Sequence, residues 1–298
     1  MSSFLQLLFS GMALGAVYAL VALGFVVIYR ASEVFNFAQG EFLTFGAFMM
    51  VTLAGVGLPW PVALVGSMVL TGLLGAAIER VLLRPLVGRP VFVTIILTIF
   101  IGFILRTGLV VAFGSEPTRM PTPWEMTSDV SIGGASVLYS SLGALGAGLV
   151  ALAGFYGLMR YTKLGVAMRA TASDQETALA MGIPVGRIFG TAWFVAGALA
   201  AVGGIFLGMY PRSVDTQLGF VALRAFPAVI VGGLDSALGA VIAGVGLGIL
   251  EVLAQGYVNP LLGEFGKGFH TVLPYLVMIV FLVVKPYGLF GSEEVERV

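Results

Sequence analysis

A short polar run near the N-terminus carries the side chains with the clearest potential for chemistry. Asn36, Gln39 and Glu41 lie in the sequence NFAQGEF, and long apolar stretches flank this run on both sides. Amide and carboxylate groups are costly inside a bilayer unless they are paired or face water, so they mark candidate paths for polar solutes. Another interpretation stays open, because Asn36 could cap the following helix and Glu41 could favour its positive end. We predict that residues 36–41 shape a polar path where their helix is interrupted.

Three further charged residues interrupt apolar runs. Asp235 follows Gly232 and Gly233, where it could line the same path or close a turn. Arg106 is expected to extend its guanidinium group outward, as long basic side chains do at the edge of an apolar region. Glu251 is expected to pair with a basic residue.

A polar segment, residues 162–184, separates two apolar runs and has the sequence TKLGVAMRATASDQETALAMGIP. Ala170, Asp174, Ala178 and Met181 recur at i, i+4, i+8 and i+11, and the first three have small or short side chains. This spacing predicts one face of a helix over about residues 170–182, and Gly182 is a natural helix stop. Such a helix could insert into a groove on a soluble partner, or it could be an ordinary loop helix.

The composition requires a lipid environment for most of the chain. Of the 298 residues, 59% are hydrophobic and only 10% are charged, and the mean hydropathy is +1.05. A soluble domain carries about 25% charged residues. A water-soluble fold of this length could not bury so much apolar surface, whereas a bilayer solvates it. The balance of 15 basic and 15 acidic residues leaves no excess charge for binding nucleic acid.

Several kinds of chemistry are excluded by what the sequence lacks. There is no cysteine, and the one histidine, His270, cannot form a metal cluster alone. No Gly-x-x-x-x-Gly-Lys-Ser/Thr run is present, so the chain does not bind ATP through a P-loop. The motifs of serine and zinc hydrolases are also missing. We therefore predict a protein that is not an enzyme, has no cofactor and takes its energy from another subunit.

Apolar runs of about 20 residues predict an all-α, polytopic transmembrane helix bundle that forms a single domain over residues 1–298. The eight candidate segments are 4–29, 35–55, 61–82, 91–113, 137–159, 186–208, 227–255 and 268–284. The second segment opens with the polar run, and the seventh is too long for one helix and contains adjacent glycines. Breaks at membrane depth are tolerated only where protein or a cavity surrounds them. Both segments are therefore predicted to be broken or re-entrant.

The charges of the loops predict which side of the membrane each loop faces. Residues 79–90 and 160–187 together hold seven basic side chains, which predicts that both loops are cytoplasmic. Residues 114–136 hold more acidic than basic side chains and are predicted to face the outside. If segment 35–55 crosses the membrane fully, the N-terminus lies outside, and if it is re-entrant, the N-terminus lies inside. The C-terminus is expected on the cytoplasmic side.

A weak internal repeat and three glycine pairs bear on how the helices pack. A Gly/Ala-rich helix, a charged loop and a broken helix follow one another in residues 11–48 and again in residues 192–244. Repeats of this kind occur in transporters and surround the central site. The glycine pairs have the small-xxx-small spacing of closely packed membrane helices, and they are Gly11/Gly15, Gly204/Gly208 and Gly244/Gly248.

Four short motifs give the sequence a family resemblance. They are Tyr18-Ala19-Leu20, the run NFAQGEF, Glu79-Arg80 followed by Arg84-Pro85, and the tail KPYGLFG at residues 285–291. In this order and spacing the chain resembles the branched-chain amino acid ABC transporter permease family, in its shorter-subunit form. Residues 162–184 also resemble the coupling loop of ABC importer permeases. There Glu176, Thr177 and Ala178 precede Gly182, although Thr177 replaces the usual alanine.

The resemblance implies a role for each of these regions. It implies a permease subunit of an ABC importer in the bacterial inner membrane, which forms half of a path for branched-chain or related amino acids. It also implies several partners. The chain would form a heterodimer with a second permease subunit, and it would associate with two cytoplasmic ATPases, a periplasmic substrate-binding protein and membrane lipid. Together with the patterns above, the resemblance gives the predicted pathway residues Asn36, Gln39, Glu41 and Asp235 and the predicted ATPase-coupling residues Arg169, Ala170, Asp174, Glu176, Ala178 and Gly182.

Other functions stay open at this point. Related permeases carry urea, short amides and other small polar solutes, so the resemblance does not fix the substrate. A self-sufficient secondary transporter or channel would also suit an apolar bundle, but it would need its own coupling site and would leave residues 160–187 unexplained. Association with ATPase subunits would distinguish these two classes.

Overall fold

A bundle of long apolar helices makes up the chain, of which the computed structural model describes residues 2–86, 89–125, 127–209 and 211–291. Six of the described helices are long and apolar enough to cross a membrane, namely Ser3–Ser32, Trp60–Leu86, Phe92–Phe113, Tyr139–Tyr161, Val185–Leu207 and Ala237–Leu261. Gly219–Gly232 and Phe269–Val284 are shorter apolar helices. The predicted polytopic helical bundle is thereby confirmed.

The elements follow one another in a simple order. The helices are α1 (Ser2–Ser32), α2 (Gln39–Gly55), α3 (Trp60–Ile78), α4 (Val91–Phe113), α5 (Tyr139–Tyr161), α6 (Lys163–Ser173), α7 (Gln175–Ala180), α8 (Val185–Leu207), α9 (Gly219–Leu223), α10 (Phe226–Gly232), α11 (Ala237–Leu253), α12 (Asn259–Leu261) and α13 (Phe269–Val284). Helix α3 continues as a π-helical turn, Glu79–Leu83, and a 3-10 turn, Arg84–Leu86. A π-helical turn, Ala254–Val258, joins α11 to α12, and a 3-10 turn, Gly263–Gly266, follows α12. Two strands, β1 (Asp129–Ile132) and β2 (Ala135–Leu138), form an antiparallel hairpin between α4 and α5.

Helix α1 is the centre of the bundle, and glycines set its distance from α11. A Cβ placed on Gly15 would lie 2.7 Å from the Cα of Val245, and one on Gly244 would lie 2.8 Å from the Cα of Ala19. Side chains do not approach backbone so closely, so any larger residue would push the two helices apart. The packing role predicted from glycine spacing is confirmed here, and two of the three predicted pairs face each other.

The two ends of α1 lie on opposite sides of the bundle. Near its start, a Leu5 methyl carbon lies 3.4 Å from a Cβ built on Gly133, in the turn of the β-hairpin. Near its end, Arg30 lines a cavity together with Arg169 of α6 and Phe290. The start of α1 therefore shares a side with the hairpin, as expected if the second apolar segment crosses fully. The described C-terminal end shares a side with α6, and the assignment of that side to the cytoplasm stays a prediction.

The C-terminal tail forms hydrogen bonds with the backbone at the break between α10 and α11. Helix α10 ends at Gly232, and Gly233 has a φ of +108°, a backbone angle that residues other than glycine rarely adopt. The backbone N–H groups of Leu289 and Phe290 donate to the carbonyl oxygens of Val231 and Gly232, at 2.8 and 3.1 Å. The predicted interruption at these glycines is confirmed, and the KPYGLFG motif is the element that pairs with it.

The loop between α4 and α5 contains a β-hairpin that was not predicted. Its turn consists of Gly133 and Gly134, whose φ values are +60° and +81°. A Gly-Gly pair suits the type I′ turn of two-residue hairpins, because both positions need positive φ. The helix predicted over 137–159 starts instead at Tyr139, since β2 occupies its first residues. Alternating apolar residues around this Gly-Gly pair are the sequence signal for the hairpin.

Candidate functional site

Two short helices, α2 and α9, begin at the same point inside the bundle. Each follows a long helix and then residues that are not helical, namely 33–38 before α2 and, among the described residues, 208–209 and 211–218 before α9. A Cβ on Gly40 would lie 2.5 Å from the carbonyl oxygen of Gly219, and a Cβ on Gly219 would lie 2.9 Å from that of Gly40. The first turns of the two helices therefore touch through backbone, which only glycine permits.

The predicted internal repeat corresponds to this arrangement. Helix α1 ends on the side of α6, whereas α8 starts on that side, so the two repeats run in opposite directions. Inverted repeats of this kind place discontinuous helices around a central path. The second broken segment begins at Gly219 rather than at residue 227, where it was predicted. Arg224 does not end the apolar run, because it is paired inside the bundle.

Asn36 and Gln39 form a buried hydrogen-bond network in front of α2, and neither side chain is exposed. Asn36 Nδ2 donates to Gln39 Oε1 at 3.0 Å, and Asn36 Oδ1 accepts from the backbone N–H of Ala38 at 3.0 Å. Gln39 Nε2 donates to the carbonyl oxygen of Ala196 at 3.2 Å. Asn36 thus folds the turn before α2 without acting as its N-cap. Both side chains brace the start of this helix, and their part in a path stays a prediction.

Glu41, in the first turn of α2, has different surroundings. It lines a groove of about 210 Å³ between α2, α4 and α9. The apolar wall of this groove consists of Phe37, Ile99, Phe103, Phe220 and Leu223. Glu41 Oε2 is buried, and it has no hydrogen-bond partner among the residues that the structure describes. A buried carboxylate oxygen without a partner is costly, which makes Glu41 the group in this groove best placed to accept a cationic ligand.

Arg106 of α4 supplies the opposite charge in the same groove. Its Nη2 donates to Gln217 Oε1 at 2.8 Å, and its Cζ lies 4.0 Å from the centroid of the Phe220 ring. The prediction that Arg106 extends outward was therefore wrong. The amide oxygen of Gln217, beside the groove, and the aromatic face of Phe220, within it, give the guanidinium closer partners than lipid headgroups would. The groove thus holds a carboxylate and a guanidinium within apolar walls.

A second cavity, of about 400 Å³, shares Phe220 with this groove. Its polar lining consists of Arg212, Ser213, Asp215, Gln217 and Arg224. The loop that forms it is held from the side of the hairpin, because Val214 and Thr118 exchange backbone hydrogen bonds of 2.8 and 2.9 Å. Polar lining therefore continues from the groove along the loop before α9.

A buried ion pair fixes the end of α9. Arg224 Nη1 lies 3.2 Å from Glu251 Oε1, and the Tyr18 hydroxyl donates to Glu251 Oε2 at 2.6 Å. Only 2% of the Glu251 surface is exposed. The predicted pairing of Glu251 with a basic residue is confirmed. These bonds tie the end of α9 to α11 and to α1, so the pair supports the wall of the second cavity.

We expect Glu251→Ala to lower the free energy of unfolding by about 3 kcal/mol, because Arg224 would lose its partner inside the bundle. Tyr18→Phe removes one hydrogen bond to a charged group and should cost less, about 1.5 kcal/mol. Unfolding of the purified chain in detergent would measure both values, with the exposed Tyr257→Phe as a control. Equal stability of Glu251→Ala and the wild type would show that the pair does not support the fold.

Asp235 lies apart from the other three predicted pathway residues. It is in the turn between α10 and α11 and lines the cavity on the side of α6, together with Arg30 and Arg169. The turn is at the end of α10 that lies away from the meeting point of α2 and α9. The structure therefore does not bring Asp235 together with Asn36 and Glu41.

The predicted coupling segment consists of two helices rather than one. Helix α6 ends at Ser173 and α7 starts at Gln175, because Asp174 has extended backbone angles, φ −162° and ψ 111°. The Asp174 carboxylate accepts from the hydroxyl of Thr177 at 2.6 Å and from its backbone N–H at 2.9 Å, and these bonds lower the pKa of Asp174. A side chain that caps the next helix competes with continuation of the first, which explains the break. Thr177, at the position of the usual alanine, supplies both bonds.

The face that this segment presents also differs from the prediction. Ala178 is 3% exposed and packs inside the chain, so it cannot enter a groove on a partner. Leu179 and Met181 are instead 58% and 78% exposed. Gly182 has a φ of +80° and follows the end of α7, as predicted for a helix stop. Of the predicted face, Met181 is exposed and Ala178 is not, and Met181 and Leu179 together form an apolar tip.

The remaining predicted coupling residues have three different environments. Ala170 is half-buried in α6, and Glu176 is exposed in the first turn of α7. Arg169 of α6 faces the cavity that Arg30 also lines, and its Nη1 donates to the carbonyl oxygen of Met159. Of these three, Glu176 is the one beside the apolar tip.

The Glu79/Arg84 motif joins the end of α3 to the end of the coupling segment. Arg84 Nε and Nη2 donate to the two carboxylate oxygens of Glu79 at 3.1 and 2.9 Å, and Nη2 also donates to the carbonyl oxygen of Gly186. Gly186 lies in the first turn of α8, directly after that segment. Bidentate pairing of this kind fixes geometry as well as adding energy. The motif therefore links α3 to the coupling segment.

A family profile matches almost the whole chain. It is described as the branched-chain amino acid transport system / permease component, and it matches residues 7–282. The chain belongs to this family. As a member of this permease family with six described helices of spanning length, it is a multi-pass membrane transport protein.

Curated members of the permease family are similar over nearly the full chain. The high-affinity branched-chain amino acid permease protein LivH of Escherichia coli K12 is 30% identical over 99% of this chain and 98% of LivH. BraD of Pseudomonas aeruginosa, with the same description, is 29% identical over 99% and 98% of the two chains. A probable LivH of Methanocaldococcus jannaschii is 31% identical over 92% and 88%. No solved structure matches the chain significantly.

Proposed function

We propose that this chain is a permease subunit of an ABC importer in the bacterial inner membrane, and that it forms half of a path for branched-chain or related apolar amino acids. The observation that carries this proposal is the groove in which Glu41 and Arg106 lie within apolar walls. The names of the relatives LivH and BraD support the same substrate class.

An amino acid with an apolar side chain has three features that this groove complements. Its ammonium group would bind the free oxygen of Glu41, and its carboxylate would form charge-assisted hydrogen bonds with Arg106. Its aliphatic side chain would lie against Phe103 and Phe220. A neutral solute such as urea would use neither charge, so the groove favours amino acids over the smaller neutral solutes.

A second permease subunit would complete the path. Phe103 and Phe220 are exposed at the edge of the groove, and the neighbouring Phe100 and Ile104 are exposed as well. Open polar cavities at membrane depth need protein around them, because lipid does not satisfy their polar groups. A partner chain over this face would enclose Glu41 and Arg106, and a heterodimer is the arrangement that the family resemblance favours.

Separate ATPases would supply the energy, since the sequence contains no P-loop. The apolar tip, Leu179 and Met181, protrudes from the side that the loop charges predict to be cytoplasmic. A cleft on each of two cytoplasmic ATPases would accept such a tip on each permease subunit. A periplasmic substrate-binding protein would deliver the amino acid on the side of the β-hairpin.

Reconstitution in liposomes tests the proposed function. The chain would be purified with the partner permease and ATPases encoded with it, and uptake of radiolabelled leucine would be measured in the presence of the binding protein. We expect uptake that requires ATP, and no comparable uptake of urea. Leucine uptake by the chain alone, driven by an ion gradient, would support a secondary transporter instead.

A further inference from the structure

A third cavity, of about 390 Å³, lies on the side of α6, away from the groove that holds Glu41. The last turns of α1 and α5, helix α6 and the turn after α10 form it. Its apolar lining includes Val26, Val27, Phe155, Met159 and Leu238, and its polar lining consists of Arg30, Arg169, Asp235 and Ser236. Arg169 and Asp235, which line it, were predicted for ATPase coupling and for the path, but no residue of the Glu41 groove or of the apolar tip belongs to its lining.

The position of this cavity corresponds to the interface between membrane and water. In α1, Arg30 comes one turn after Val26, so the polar lining is nearer the helix end than the apolar lining. Helix α5 ends in Arg160 and Tyr161, residue types that are typical of the membrane interface. The Arg160 guanidinium carbon lies 6.0 Å from the ring centroid of Tyr156, which also lines the cavity. The mouth of the cavity is therefore at the depth of lipid headgroups.

The cavity opens sideways toward the bilayer. Leu238, at the start of α11, is 64% exposed although it lines the cavity, and Tyr156 of α5 is exposed as well. Exposed apolar side chains on a spanning helix face lipid or a partner subunit, and the partner proposed above covers α4 and α9 rather than α5 and α11. A slot with an apolar wall and an open apolar edge suits an acyl chain better than it suits a soluble ligand.

Arginine side chains dominate the charge at the mouth. The hydrogen bond from Arg169 to the carbonyl oxygen of Met159 holds its guanidinium group beside the opening. The Arg30 side chain forms no hydrogen bond or ion pair with any other residue in the described ranges. Asp235 also lines the mouth, but it already has an interaction partner. The excess positive charge matches a phosphodiester.

We propose that this cavity binds one anionic phospholipid, such as phosphatidylglycerol. Its phosphate would lie between Arg30 and Arg169, and one acyl chain would follow Leu238 and Phe155. Basic pockets between transmembrane helices on the cytoplasmic side bind anionic headgroups in this way. The lipid would fill the space between α1, α5 and α6. The proposal requires only that the chain spans a membrane, so it is independent of the substrate and of the ATPases.

Native mass spectrometry of the purified chain tests the proposal, with phosphatidylglycerol and phosphatidylethanolamine as separate probes. We expect one tightly retained phosphatidylglycerol and weaker retention of phosphatidylethanolamine. Each of Arg30→Gln and Arg169→Gln should weaken phosphatidylglycerol binding about fivefold, and the double variant about thirtyfold, from about 1 kcal/mol per basic residue near the membrane surface. Arg187→Gln, exposed on the same side but outside the cavity, should leave binding unchanged.

Three results would overturn the lipid site. Equal retention of the two lipids would show that the headgroup charge is not recognised. Unchanged binding in the Arg30→Gln/Arg169→Gln double variant would place the lipid elsewhere. Displacement of the lipid by millimolar inorganic phosphate would indicate a site for soluble anions. If the double variant does not fold, Leu238→Glu tests the same site, because its exposed edge would then repel the lipid.

Discussion

Replacing Glu41 with glutamine should reduce leucine uptake at least about tenfold and, at the same time, make the chain more stable. The loss of uptake follows from the loss of a charged partner for the substrate ammonium group, since hydrogen bonds to charged groups contribute about 1.5–3 kcal/mol. The gain in stability follows because the buried Oε2 of Glu41 has no partner in the described chain. Removing a carboxylate whose buried Oε2 has no hydrogen-bond partner should raise the free energy of unfolding by about 1 kcal/mol.

A variant that lowers uptake but raises the free energy of unfolding shows that Glu41 acts in transport rather than in folding. Uptake would be measured in liposomes that contain the complete transporter, and unfolding would be measured on the purified chain in detergent. Glu116→Gln, in an exposed part of the loop before the hairpin, is the matched control and should change neither quantity. Arg106→Gln should also reduce uptake, because it removes the group proposed to bind the carboxylate. Normal uptake in both Glu41→Gln and Arg106→Gln would show that the groove is not the path.

The double substitution Leu179→Asp/Met181→Asp should abolish ATPase binding while the membrane bundle stays folded. Both side chains are largely exposed in the isolated chain, so the change in the free energy of unfolding should stay within about 0.5 kcal/mol. Burial of a leucine or methionine side chain contributes about 1.5–3 kcal/mol each, and a buried carboxylate would oppose docking further. We therefore expect at least a hundredfold weaker association with the ATPase.

Two further variants make this test specific. Val56→Asp places the same charge at a position that is 72% exposed, in the turn after α2, and should leave ATPase binding intact. Ala178→Trp should lower stability by about 1–3 kcal/mol, because Ala178 is buried within its own chain and the larger side chain would overpack it. Co-purification and ATP hydrolysis would measure docking. Full ATPase binding by the Leu179→Asp/Met181→Asp chain would show that the apolar tip is not the docking element.

Features that depend on a few neighbouring residues were predictable from the sequence. Apolar runs predicted the helices, because a segment in lipid must satisfy its own backbone hydrogen bonds and a helix does so within the segment. Gly182 and Gly233 were predicted as interruptions, and both have positive φ. The break at Asp174 was not predicted, although the capping bond to Thr177 spans only three residues. Helical spacing alone could not show that the Asp174 side chain would compete with the helix.

Features that depend on distant residues were decided by the tertiary structure. Arg106 was expected to extend outward as long basic side chains do, since its partner Gln217 is 111 positions away along the chain and no local pattern indicates it. Tyr18 and Glu251 are separated by 233 positions. The contact of Gly40 with Gly219 likewise brings two helix starts together from opposite repeats. Hydropathy predicts whether each segment lies in lipid or in water, but it does not predict which segments pack against one another. The sequence by itself thus determined a polytopic permease with broken helices. Only packing decided that Glu41 and Arg106 share a groove, that Asp235 lies elsewhere and that Ala178 is buried.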